Sequence, residues 1–237
     1  MIPLHDNVPS RRFPIVTIVL IALNLIVFGL ELALPRWGLT LDGPGSLFSR
    51  AGAVPSELVH GSDLYPKDLV PVWATVLTSL FLHGGWLHIL PNMLFLWIFG
   101  NNVEDSMGRL GFAGFYLLCG VAAVLAQTFS DTGSTVPMIG ASGAIAGVLG
   151  AYLLLYPRAR VLTLLLLVVA FPVIRVRAWF FLGAWFALQF VVGLATVGAE
   201  TGTAYFEHIG GFLAGLCLVW VFAAPRPRLQ WRQAAEG

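Results

Sequence analysis

The stretch that decides the reading is PMIGASGAIAGVLGAYLLLY, residues 137–156. Its composition predicts an apolar helix, long enough to serve as a span of a bilayer whose hydrocarbon core is about 30 Å thick. At its start, Gly140-Ala141-Ser142-Gly143 places a hydroxyl between small residues where lipid would favour none. Three more polar side chains interrupt other apolar runs: His88 and Asn92 in an earlier one, His208 in a later one. Four such groups in one chain point to a shared site.

Composition sets the class. Of 237 residues, 58% are hydrophobic and 11% charged, whereas soluble domains carry roughly a quarter charged residues. The pattern is that of an all-α polytopic membrane protein. A net charge of +1 argues against nucleic acid as a partner. Cys119 and Cys217 lie in apolar segments and read as small core residues. The run Phe13 to Leu34 is too long for a signal-peptide core, so no cleaved leader is expected.

Six spans are predicted, at about 13–34, 74–100, 110–129, 138–156, 178–197 and 206–224. They divide the chain into a cytoplasmic segment 1–12, a six-helix domain 13–224 and a cytoplasmic tail 225–237. Arg11, Arg12, Arg109, Arg158, Arg160, Arg175, Arg177, Arg226, Arg228 and Arg232 fall on one side, which the distribution of basic residues marks as cytoplasmic. The connections near 130–137 and 198–205 carry no Lys or Arg. Segment 161–174 is apolar but short, with arginines on both flanks. It is expected to begin and end on the cytoplasmic side, as an interfacial or re-entrant piece. The long external loop 35–73 mixes Pro, Gly and Ser with Trp37, Leu47, Phe48 and Leu69, and is expected to rest at the membrane interface.

Depth brings the polar groups together. Ser142 precedes Arg158 by 16 residues, His208 precedes Arg226 by 18, and His88 precedes Glu104 by 16. At about 1.5 Å per residue these separations are roughly 24 to 27 Å, which sets all three at one level in the outer part of the bilayer. Asn92 lies one turn below His88 on the same face. Singly, each has an ordinary explanation: a serine bonding back to a carbonyl, a structural histidine, an asparagine joining helices. Buried polar groups at one depth must pair or line a wet cavity.

The chemistry that fits is nucleophilic catalysis by serine. A hydroxyl is a weak nucleophile until a neighbouring imidazole takes its proton, and Ser142 with His208 would form that pair. Glu207 adjoins His208 but points elsewhere around a helix, so a dyad is expected rather than a triad. The Ser142 N–H at a helix N-terminus, the His88 ring and the Asn92 amide are candidate donors to a developing oxyanion. Gly143 and Gly147 after the serine, and Gly211 and Gly215 after the histidine, form two small-residue faces that would let these helices meet closely.

These residues carry a resemblance. The blocks Phe81-Leu-His-Gly-Gly-Trp-Leu-His-Ile-Leu-Pro-Asn-Met93, Phe99-Gly-Asn-Asn-Val-Glu104, Met138-Ile-Gly-Ala-Ser-Gly-Ala-Ile-Ala-Gly147 and His208-Ile-Gly-Gly-Phe-Leu-Ala-Gly215 resemble the rhomboid intramembrane serine proteases, of the compact six-span bacterial type. The openings Met1-Ile-Pro-Leu-His-Asp-Asn and Arg11-Arg-Phe-Pro fit as well. The resemblance implies a six-transmembrane-helix rhomboid-like bundle in a bacterial inner membrane. It implies Ser142 as nucleophile and His208 as general base, with His88, Asn92 and Ala141 stabilising the oxyanion or positioning substrate. Glu104 would anchor the cytoplasmic end of the second span. Trp185, Phe186 and the 198–205 loop would lie near a substrate gate. Substrates would be single-span membrane proteins, and no metal or cofactor would be needed. Two positions depart from the family pattern. Val72-Trp73-Ala74-Thr75 lacks an arginine after the tryptophan. Ala146 stands where some relatives have an aromatic that stacks on the histidine, so support for the His208 ring must come from elsewhere.

Other readings compete. A catalytically inactive rhomboid-like binder or chaperone would usually have lost the serine or the histidine. A transporter would use acids or inverted repeats, and neither is evident. An intramembrane metalloprotease needs His-Glu-x-x-His, whereas His83 and His88 are five apart with no Glu between. His83, His5 and His60 read as interface or loop residues.

Overall fold

A computed structural model describes residues 1–38, 40–43, 45–62, 64, 70–165, 171–196 and 203–223. The Trp37 side chain, Leu69, most of the 198–205 loop and the tail from 224 lie outside the described residues. The chain opens with strand β1 (Ile2–Asp6) and helix α1 (Ile15–Ala33), followed by a 3-10 turn (Leu34–Trp37). Loop 35–73 contains α2 (Leu47–Ala51) and α3 (Pro55–His60). Then come α4 (Val72–Thr78) with a 3-10 turn (Ser79–Phe81), α5 (Trp86–Phe95), a π-helical turn (Leu96–Gly100) and α6 (Asn101–Met107). The rest is α7 (Arg109–Ser130), α8 (Ser142–Leu155), β2 (Arg160–Leu164), β3 (Val173–Arg177), α9 (Ala178–Ala195) and α10 (Tyr205–Phe222).

By length and composition, Ile15–Arg36, Arg109–Ser130, Ala178–Ala195 and Tyr205–Phe222 are able to cross a membrane. The expected span 74–100 is redrawn. Its first part is the short α4, and the chain breaks at Leu82–Gly85, where Gly85 adopts φ +149°. A continuous run then extends from Trp86 through the π turn to Met107, with Pro91 inside it. The π turn widens the helix five residues past Pro91.

Helix α8 is apolar on every face and is buried from Gly143 to Tyr152, as a central helix should be. Its 14 residues measure about 21 Å, short of a hydrocarbon core. Ser142 therefore begins inside the bundle, reached by the irregular segment after α7. That segment satisfies its backbone on protein, as non-helical chain at depth must. Ala53 and Met138 exchange N–H···O bonds of 3.0 and 2.8 Å, and Gly140 N–H donates to the Ser79 carbonyl at 2.9 Å.

Glycine lets α8 and α10 touch. A Cβ added at Gly211 would collide with the Gly143 carbonyl, and one at Gly215 with the Gly147 carbonyl. The two predicted small-residue faces thus lie against each other. Around this pair sits the aromatic core of Phe99, Phe112, Phe115, Tyr116, Tyr152 and Phe181. Glu104 takes N–H bonds from Val16 (3.0 Å) and Thr17 (2.8 Å) and the Thr17 hydroxyl (2.8 Å). It thereby caps α1, which follows Pro14 and has no side-chain cap of its own.

Local sequence does not announce strands in segment 161–174. Within it the described residues form the arms of an antiparallel hairpin, and β1 pairs on its other side, giving sheet order β1-β2-β3. Arg160 faces Arg177 in register, so both ends of the segment do lie together, as the flanking arginines predict. The hydrogen-bonded partner that permits a strand here is the N-terminus itself, a pairing invisible to local periodicity. Cys119 is buried as expected, but Cys217 is exposed.

Candidate functional site

Ser142 is the first residue of α8, following Ala141, which is fully buried. His208 lies in the first turn of α10, and His88 in the first turn of α5. Three helix N-termini therefore converge, and their N–H groups and dipoles make the space between them favourable to negative charge. The space is a cleft of about 1240 Å³ whose walls include His88, Asn92, Ser142, Trp185, Gln189 and His208. All the polar groups foreseen at one depth share it.

His208 Nε2 and Ser142 Oγ are 2.9 Å apart. On the other side of the ring, His208 Nδ1 and Gln189 Oε1 are also 2.9 Å apart. An amide oxygen can only accept, so Nδ1 carries the proton and Nε2 is left to accept from the serine hydroxyl. The Trp185 ring lies 5.9 Å from the imidazole, and Tyr205 meets it edge-on at 6.5 Å. These groups support a ring that Ala146 cannot reach. Phe186 stacks on Phe212 at 4.5 Å beside them.

Opposite, His88 Nδ1 accepts the Gly84 N–H at 3.4 Å, which leaves Nε2 as the protonated nitrogen. Nε2 faces Gly140, whose Cβ, if present, would stand 2.6 Å away. Gly140 has φ +123°, so glycine is required both by its backbone angle and by the ring beside it. The Asn92 amide nitrogen lies 3.3 Å from His83 Nε2. His83 Nδ1 donates to the Phe81 carbonyl, so Nε2 accepts one Asn92 proton and the second Asn92 proton remains.

His83 is buried within the protein, and its backbone N–H donates to the Glu31 carboxylate at 3.0 Å. Glu207 does not hydrogen-bond to His208, as its place on the helix predicts; its carboxylate lies against Gly143 at the start of the serine helix, within reach of that backbone N–H. Gln127 Oε1 accepts the Phe206 and Glu207 N–H groups at 3.1 and 3.3 Å, capping the histidine helix. Gln189 went unread in the sequence. The signal was there: a lone amide one turn beyond Trp185 on an otherwise apolar span.

Comparison with known proteins agrees with this architecture. Residues 71–225 match the Rhomboid domain. The chain is 30% identical over 181 residues to "Rhomboid protein 1, mitochondrial" of Saccharomyces cerevisiae, covering 73% of this chain and 49% of that protein. It is 31% identical over 167 residues to "Rhomboid-like protein 11, chloroplastic" of Arabidopsis thaliana, covering 68% and 56%. It is 32% identical over 160 residues to "Presenilin-associated rhomboid-like protein A, mitochondrial" of Danio rerio, covering 65% and 38%. The chain spans about half the length of the curated relatives it matches. The matched domain takes in everything from α4 to the end of α10, and with it Ser142, His208, His88, Asn92, Trp185 and Gln189. The chain belongs to the rhomboid family of membrane proteins.

Proposed function

We propose that this protein is an intramembrane serine endopeptidase that cleaves single-span membrane proteins. The observation that carries the reading is the 2.9 Å contact between Ser142 Oγ and His208 Nε2 in a cleft that His88 and Asn92 also line. Ser142 Oγ attacks the scissile carbonyl carbon and gives its proton to His208 Nε2. The resulting oxyanion is stabilised by the His88 Nε2–H, the free Asn92 proton and the N-terminus of α8 that begins after Ala141. Collapse breaks the C–N bond, and the leaving amine takes the proton from Nε2. Water, deprotonated by His208, then hydrolyses the acyl-enzyme. Closely packed glycines hold the two helices while water reaches the reacting groups from the cleft. Substrate would enter beside α9, past Trp185 and Phe186, with the basic ends and both termini in the cytoplasm.

The test is a reconstituted cleavage assay on a generic single-span substrate, with wild type, Ser142→Ala and His208→Ala. Cleavage by wild type alone is expected, together with fluorophosphonate labelling that requires Ser142. Substrate retention without cleavage would replace the protease reading with an inactive binder.

A further inference from the structure

We propose that Gln189 is a positioning residue for His208, the third member of a Ser142–His208–Gln189 chain. This rests on the protease reading above. A neutral imidazole has two tautomers, and only the one protonated on Nδ1 leaves Nε2 able to receive the serine proton. Gln189 Oε1, 2.9 Å from Nδ1, selects that tautomer and sets the ring plane. No carboxylate hydrogen-bonds to His208 among the described residues, so an uncharged acceptor takes the place an acid holds in a triad. Along α9 (Ala178–Ala195), Gln189 is the only amide or ionisable side chain. An amide on a membrane helix needs a partner, and this oxygen has found the imidazole.

Interhelical adhesion is the competing role, and two variants separate them. Gln189→Met keeps length and bulk without a strong acceptor, and Gln189→Glu keeps the acceptor. Positioning predicts that Met lowers kcat by about ten- to a hundredfold with KM and thermal midpoint unchanged, and that Glu stays within a few-fold of wild type. Methionine at full activity, or equal losses in both variants with lowered midpoints, would overturn it. The ¹⁵N spectrum of histidine-labelled protein, with His208 assigned through His208→Ala, reads the tautomer whether or not the protein cleaves anything. A mixed tautomer in wild type would refute Gln189 alone, whereas absent cleavage with a fixed tautomer would refute only the protease reading.

A second, independent observation lies at the far end of α8. In the sheet, Arg160 stands directly opposite Arg177, with Arg175 two residues along the same face. All three are exposed, and among the described residues none pairs with a carboxylate. Like charges in register destabilise a sheet, so this face calls for an anion. The neighbouring Phe171, Val173 and Ile174 are exposed apolar groups, and β3 runs directly into α9. Guanidiniums beside exposed apolar side chains at the end of a membrane helix suit the phosphates of acidic phospholipids rather than a soluble polyanion. We infer that this face binds anionic lipid headgroups. Full-length protein is reconstituted in phosphatidylcholine with and without phosphatidylglycerol, and retained lipid is counted by native mass spectrometry. Several-fold loss of retained phosphatidylglycerol is expected in the Arg160→Gln/Arg175→Gln/Arg177→Gln variant, but not in Arg36→Gln. Equal retention in all three proteins would overturn it.

Discussion

The Glu207 carboxylate lies against Gly143, within reach of its backbone N–H, so the helix that carries the histidine also closes the N-terminus of the helix that carries the serine. With Gln127 capping α10 in turn, the two N-termini are held in one frame. Glu207→Gln keeps an acceptor for Gly143, whereas Glu207→Leu leaves a buried N–H without one, at about 1–3 kcal/mol. The Leu variant should therefore unfold at lower temperature and cleave more slowly, with Gln much closer to wild type. Thermal midpoints in detergent and initial rates give the comparison, and a harmless Leu would refute the capping role.

Gly140 and His88 are predicted to be coupled. Gly140→Ala combines an unfavourable backbone angle, costing on the order of 1–3 kcal/mol, with a Cβ pressed on the imidazole. Cleavage should fall at least tenfold. In a double-mutant cycle, Gly140→Ala should do far less further harm once His88 is alanine. Additive losses would mean that the glycine serves the turn and not the ring.

Much of this was legible in the sequence. Apolar runs located the long helices, and helical rise placed Ser142, His88 and His208 at one depth. Glycine spacing foretold the α8–α10 contact. What escaped depends on partners distant in sequence. Nothing near residue 161 announces that Ile2–Asp6 will pair there, and nothing near His83 announces Glu31. The break at Leu82–Gly85 carries its own signal, the Gly84-Gly85 pair, which the long apolar run on either side overrides. The Gln189 amide stands out along α9 in the sequence, but its partner His208 is apparent only once α10 is placed beside it.

Asn92 depends on His83. Asn92→Ala should lower kcat by roughly ten- to a thousandfold if its amide holds the oxyanion. His83→Leu removes the acceptor that orients the amide and should produce a smaller loss of the same kind, in kcat and not KM. The double variant should be no worse than Asn92→Ala alone. A His83 effect that persists in the alanine background would give His83 a separate task.

Glu104 is expected to matter for stability and not for chemistry. It satisfies two backbone N–H groups and a buried hydroxyl at the start of α1, far from the cleft. Glu104→Ala should destabilise by about 2–4 kcal/mol and lower the yield of folded protein. The rate per folded molecule, counted by fluorophosphonate labelling, should be unchanged.

Asp6 makes stability depend on pH. It is buried under the sheet, where it accepts from the Tyr152 hydroxyl and, at 2.6 Å, from the Asn102 amide. Burial raises its pKa above the ordinary 3.8, against the lowering effect of those hydrogen bonds and of nearby His5. The folded state therefore holds this proton more tightly than the unfolded chain. The resulting stabilisation is complete below the ordinary value and is lost as pH rises through the folded one. Asp6→Asn keeps an acceptor oxygen for both donors and removes the titration. Relative to wild type, the variant should gain stability as pH rises from about 4 towards neutrality. Thermal midpoints of the two proteins across that range make the test, and parallel curves would show that Asp6 titrates alike in the folded and unfolded chains.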